Sequence, residues 1–335
     1  MMSRPNPMFR PLLPALFCGL IASPAFGAQT DVESAVTKGL AVLAQGTRDY
    51  EEHRSCFTCH HQTLPMLAQA TAKKNGFSID QKLFDQQTRI THDGFKNRHD
   101  KLLAGKGIGG QSMTVGYALW ALHLADWKPD QTTDAMTAYL IKTQRKDGGF
   151  YTNKKRPPQE DSPFTSATIA AYYLDQFVSD ARRNEADAVI ARARGKLIRS
   201  EPARQEDLNA RLWGLHLLSA DKKAIKAARR AVLDAQRPDG GWGQLPDMES
   251  DSYATGQALW MLQETGGKVS SPAYRRGVAY LLKTQREDGS WFVETRSHPI
   301  QTYFESGFPH GKDQFISICG TSWAVAALAA SVERD

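Results

Sequence analysis

Ser55-Cys56-Phe57-Thr58-Cys59-His60-His61 gathers the densest group of reactive side chains in this chain. Two thiols three residues apart on a helical turn, followed at once by an imidazole, make the Cys-x-x-Cys-His pattern that attaches a c-type haem. Each thiol adds to one vinyl group and the histidine faces the iron. The motif predicts one covalent haem c held by Cys56 and Cys59, with His60 as proximal iron ligand. Two other uses of the same residues stay open: a small Cys56–Cys59 disulfide, or a partial zinc site to which only His61 and His53 lie near in sequence. On the opposite face of the iron, His310, in the turn-rich stretch 306–313, is the first candidate. Met66, six residues past His60, is its rival, because His/Met ligation raises the potential of electron-transfer haems. His298, His92 and His99 are less favoured, His61 is too close to His60 to reach that face, and an open sixth position would suit catalysis.

The start of the chain fits that chemistry, since c-type haem is attached outside the cytoplasm in bacteria. Arg4 and Arg10 precede an apolar run over 12–22, and Ala25-Phe26-Gly27 offers a small-x-small cleavage site. That pattern reads as a signal peptide over 1–27, with a mature periplasmic or secreted protein from Ala28. The apolar run is shorter than the about 18 to 20 residues that span a bilayer, and no later stretch is longer. Cys18 follows Phe17 rather than a small residue, which argues against lipidation there. Three cysteines then remain, an odd number for a disulfide framework. The formal charge is +6, and losing Arg4 and Arg10 with the leader leaves +4. The basic residues are scattered, so no nucleic-acid site is expected.

The elements that must position these residues show themselves as a repeat. Gln144-Arg-Lys-Asp-Gly-Gly-Phe150, Gln236-Arg-Pro-Asp-Gly-Gly-Trp242 and Gln285-Arg-Glu-Asp-Gly-Ser-Trp291 recur, and they fit one unit of about 46 to 49 residues with a degenerate copy between the first two. Each phrase closes a segment with helical spacing, and its Asp-Gly supplies a C-terminal cap. A second, more apolar helix follows. An amphipathic helix paired with an almost uniformly apolar one reads as an outer helix covering an inner one. Extending the period gives six such hairpins: 31–50 with 58–73, 80–98 with 112–124, 135–144 with 162–177, 185–199 with 207–218, 224–236 with 252–262, and 274–285 with 314–330. Closed into a ring, they predict an all-α fold, an α/α toroid of six helical hairpins, as a single domain over 28–335.

These Gln…Asp-Gly-Gly/Ser-Trp/Phe phrases resemble the QW repeats of squalene-hopene cyclases and the wider terpenoid cyclase and protein prenyltransferase toroids, and the resemblance covers most of 28–335. It implies structural roles for the repeated Gln and Trp, and a protonating Asp-x-Asp-Asp motif at the start of an inner helix. The matching residues are Glu249-Ser250-Asp251-Ser252, which keep the central acid, Asp251, but replace the first and last Asp. Neighbouring groups set the acidity of a proton donor, so these replacements put cyclase activity in doubt. The chain also supplies one toroid where triterpene cyclases use two, and it lacks an Asp-Asp-x-x-Asp cluster. Asp251 reads first as a helix cap and second as an acid, and Asp161 and Asp313 also read first as caps. Tyr117, Trp120, Tyr172, Tyr173, Trp213, Tyr253, Trp260 and Trp323 lie on inner helices and either line an apolar cavity or fill a core, and Cys319 reads as a buried free thiol.

Three functions follow as expectations. The first is haem redox chemistry on or near an apolar, isoprenoid-like ligand. The second is an electron-transfer or haem-sensing module that docks a periplasmic redox partner. The third is a cyclase or lyase using Asp251. An apolar ligand also makes peripheral membrane contact plausible.

Overall fold

In the computed structural model, residues 24–54, 57–299 and 302–332 are described. Most of the expected leader, and Cys56 of the haem motif, lie outside them. The last four leader residues open the first helix, α1 (Pro24–His53).

Twelve long helices and one short helix form among the described residues. After α1 come α2 (Leu64–Lys74), α3 (Gln81–Lys96), the short α4 (His99–Ala104), α5 (Gln111–Leu124), α6 (Gln131–Thr143) and α7 (Pro163–Phe177). Then follow α8 (Arg183–Arg199), α9 (Gln205–Leu217), α10 (Lys222–Asp234), α11 (Ser252–Glu264), α12 (Pro272–Thr284) and α13 (Gln314–Ala330). Short polar side chains start many of them: Asp80, Asp221 and Ser271 accept backbone N–H groups on outer helices, and Ser162 and Asp251 do so on inner ones. These caps satisfy N–H groups that the first helical turn leaves orphaned.

Helices α2, α5, α7, α9, α11 and α13 pack each on the next, and α13 packs back on α2. The inner ring is therefore closed, and α1, α3, α6, α8, α10 and α12 cover it. The two sets differ as their sequences require. Inner α11 is buried from Ser252 to Leu262, whereas outer α10 buries only Ala228 and Val232. Gly256 allows α11 to lie directly on α13, since a Cβ there would stand 2.5 Å from the carbonyl carbon of Trp323.

The repeated phrases tie the outer helices together. Gln144, Gln236 and Gln285 each donate from Nε2 to the glycine carbonyl of their own turn, at 2.8 to 3.1 Å. Each also donates to a carbonyl on another outer helix: Val189, Ala273 and Ala35 respectively, at 2.7 to 2.9 Å. Trp242 and Trp291 donate from the indole to Val232 and Leu281 of the preceding helix, both at 2.8 Å. The structural roles expected of these Gln and Trp residues are what the structure has.

The axis of the ring is filled on its lower side. Trp120 packs against Tyr173, Trp213, Trp260 and Trp323, with ring centroids 5.0 to 6.4 Å apart. These inner-helix aromatics are buried in the core. The long loops gather at the other side, where outer helices end and inner helices begin. No described helix is long and apolar enough to cross a membrane.

Candidate functional site

The haem-motif histidines lie at this loop-covered mouth. Residues Cys59–Thr63 form one π-helical turn that runs directly into α2. Thr58 caps it: its hydroxyl accepts the His61 N–H at 3.2 Å, and its own N–H donates to Gln62 Oε1 at 2.6 Å. The turn sends Cys59, His60 and His61 into the interior, and all three are buried.

Their partners come from distant elements. Tyr50 of α1 stacks on His61 at 4.4 Å, and Phe315 of α13 meets the His60 and His61 rings at 5.4 and 5.7 Å. The two Nδ1 atoms of His60 and His61 face each other at 2.5 Å. Burial pushes His61 down to about 3 and holds His60 well below the usual range, so both rings are neutral at physiological pH. The Cys59 thiol donates to Glu160 Oε1 at 3.6 Å, and Glu160 pairs with Arg156 at 3.0 Å. Burial, and then the Glu160 carboxylate, push the Cys59 thiol up, away from the reactive thiolate. His60 and Arg156 line both of two adjoining cavities, of about 350 and 260 Å³.

A second acid lies deeper. Glu206, on the first turn of α9, accepts the Thr165 hydroxyl at 2.5 Å and the Gln257 amide at 2.8 Å. Burial raises its carboxyl to about 7, against the pull of those two donors. Near it, Cys319 donates to Gln159 Oε1 at 3.4 Å and is a buried free thiol, as expected.

Asp251 caps α11 by accepting the Ala254 N–H at 2.8 Å. Its other oxygen, Oδ2, is buried, and the Gln244 amide faces the carboxyl. Burial raises this carboxyl to about 6, opposed by the Ala254 N–H. Asp251 lines a cavity of about 500 Å³ with Tyr280, Trp291 and Phe292. The other two expected caps do different work. Asp161 pairs with Arg204 while Ser162 caps α7, and Asp313 accepts the Thr295 N–H at 2.8 Å, which anchors the loop before α13.

The structure thus brings Cys59, His60 and His61 together and engages the two expected distal ligands elsewhere. His310 bonds to Ser290 Oγ at 2.8 Å and packs on Phe292 and Phe308, and Met66 is fully buried against Phe84 and Ala121. What closes over the histidines from the last hairpin is Phe315. Sequence reasoning passed over Phe315, Arg156, Gln159, Glu160 and Glu206. Glu206 carried a signal, because it stands at the start of an inner helix as Asp251 does.

Residues 210–317 match the squalene-hopene cyclase C-terminal domain family. The squalene-hopene cyclase of Bradyrhizobium diazoefficiens is 31% identical over 123 residues, which is 32% of this chain and 17% of that protein. This chain spans no more than about a third of the curated relatives it matches first. Among solved structures, the type II terpene cyclase MstE from Scytonema aligns with a TM-score of 0.58 at 14% identity, over 91% of this chain and 98% of that one. A glycosidase aligns with a TM-score of 0.61 at 12% identity, over 92% and 99%. Such identities speak for the fold alone.

These matches overturn the reading of the chain as a c-type cytochrome passing electrons through haem iron. Among the described residues no group of three or more His, Cys, Asp or Glu side chains is placed to hold a metal ion. The local packing gives the physical reason. The His60 ring packs on Tyr50, His61 and Phe315, and the Cys59 thiol is buried on the Glu160 carboxylate. The described part of the motif forms a packed mouth wall, and the chain carrying it is an α/α toroid whose residues 210–317 match the squalene-hopene cyclase C-terminal domain family.

Proposed function

We propose that this toroid performs proton-initiated chemistry on an apolar, isoprenoid-like ligand bound at the loop-covered mouth, with Asp251 as the proton donor. The observation that carries this reading is the Asp251 carboxyl itself: it lines a cavity at the start of an inner helix, burial raises its pKa to about 6, and it lies within the matched segment. A carboxyl whose pKa is raised toward the working pH holds a larger protonated fraction than a free one and so serves better as a general acid. MstE has been solved with geranylgeranyl dihydroxybenzoate as substrate and merosterolic acid A as product, which supports an apolar ligand class. The aromatic plug confines the ligand to the mouth, where the Asp251 cavity is about 500 Å³. The Arg4 to Gly27 pattern supports export of a single toroid from Ala28.

The test is incubation of the purified chain with farnesol, geranylgeraniol and squalene, followed by mass spectrometry for isomers of unchanged mass. Addition and later loss of a proton leaves composition unaltered. Isomers from the native chain and their loss in Asp251→Asn are expected, because Asn is an equal helix cap but no acid. Full turnover in that variant, or no isomer from any of the three, would remove the reading.

A further inference from the structure

The 260 Å³ cavity beside His60 is chemically lopsided. Its lining holds two cations, Arg156 and Lys312, and no carboxylate. Glu160, the partner of Arg156, lines the neighbouring cavity instead. Lys312 is exposed and makes no ion pair among the described residues. Gln159 adds an unused donor: its Oε1 accepts the Cys319 thiol, while Nε2 is buried with no hydrogen-bond partner among the described residues. A buried amide N–H left unpaired forfeits its hydration, a loss that an incoming acceptor recovers. Apolar wall comes from Phe315, Ile316, Pro157 and Pro299, and uncharged polar wall from Thr295, Ser297, Thr302 and Tyr303, with His60 and His298 completing it.

We propose that this cavity binds an amphiphile with an anionic head, carboxylate or phosphate, and a short hydrocarbon tail. The head is held by Lys312, Arg156 and the Gln159 amide, and the tail lies against Phe315 and Ile316. A cation at the rim and a preorganised donor inside favour an anion through charge-assisted hydrogen bonds, which a neutral alcohol forms far less strongly. The volume lies just below the usual range for small-molecule cavities, which limits the tail to a short chain. The inference does not rest on the chemistry proposed for Asp251, whose cavity has a separate lining.

Calorimetric titration of the full chain with decanoate, geranyl monophosphate, decan-1-ol and inorganic phosphate tests it. At least one charged amphiphile is expected to bind about tenfold or more tightly than decan-1-ol and than inorganic phosphate, the scale of one charge-assisted hydrogen bond. Decanoate alone assigns a carboxylate head, and geranyl monophosphate alone a phosphate head. Lys312→Glu, at an exposed site that leaves the fold intact, should weaken the charged ligand about tenfold and leave decan-1-ol unchanged, and Gln159→Leu should also weaken the charged ligand. Equal binding of alcohol and anion, phosphate binding as tightly as the amphiphile, or an indifferent Lys312→Glu would each overturn the proposal. None of these results depends on whether isomers form at Asp251.

Discussion

The Gln285 amide donates to the carbonyl of Ala35 at 2.9 Å, joining two residues 250 positions apart. The same nitrogen bonds Gly289 O at 3.0 Å, so one side chain fixes its own turn and closes the last outer helix onto the first. The bond Gln144 makes to Val189 spans 45 positions, inside the array.

Gln285→Ala should therefore lower stability by about 1 to 3 kcal/mol, the cost of two part-buried carbonyls losing a donor. Urea denaturation followed by circular dichroism measures it. An unchanged midpoint would mean that helix packing alone closes the ring.

Gly289 has φ +86°, and a Cβ there would stand 2.7 Å from the Lys38 carbonyl oxygen. Gly289→Ala combines a left-handed backbone penalty with that clash and should cost roughly 2 kcal/mol or more. Gly109→Ala is the matched control, since nothing lies within 4 Å of its Cβ position. Thermal melts of the two variants should separate clearly, and equal melting temperatures would contradict the close approach.

Glu206 sets a pH dependence. Its folded carboxyl is raised to about 7, whereas an unfolded Glu titrates near ~4.3. Between those values the unfolded chain loses its proton while the folded one keeps it. Stability is therefore fully present below about 4.3 and declines as pH rises to about 7, by on the order of 3 kcal/mol. Glu206→Gln should flatten that part of the profile, read as the difference between native and variant denaturation at pH 5 and 7.5. Parallel profiles would show that Glu206 is ionised in the fold.

Trp120 packs against five aromatic rings, Tyr117, Tyr173, Trp213, Trp260 and Trp323, and is 2% exposed. Trp120→Ala should cost about 3 to 5 kcal/mol by leaving a large cavity among rings that cannot collapse onto it. A loss below 1 kcal/mol would mean that the rings line open space.

Much of the fold was legible in the chain itself. The three Gln-Arg-x-Asp-Gly phrases fixed the period, the alternation of amphipathic and apolar helices distinguished outer from inner, and six hairpins followed. These are local signals, written in the spacing of side chains within one or two turns. The expected hairpin 58–73 began early, because Cys59–Thr63 takes a π-helical turn that residue spacing does not reveal.

The candidate site was legible only in fragments. Asp251 could be found because its position in the repeat announced it, and the sequence was right that it caps a helix. That its second oxygen is buried beside the Gln244 amide depends on the loop folding over it. The Cys59-His60-His61 run was visible as a motif, but its packing is set by residues far from it in sequence: Tyr50, Glu160 and Phe315.

The sequence by itself determined the helices, their pairing and the closed ring, because periodicity and capping act over a few residues and repeat along the chain. Only the tertiary structure decided that the axis is plugged by Trp120 and its neighbours, that Glu206 keeps its proton near neutrality, and that His60 meets Phe315 instead of His310. Desolvation and ring packing are set by what arrives from the other hairpins, and no local pattern encodes the distance between them.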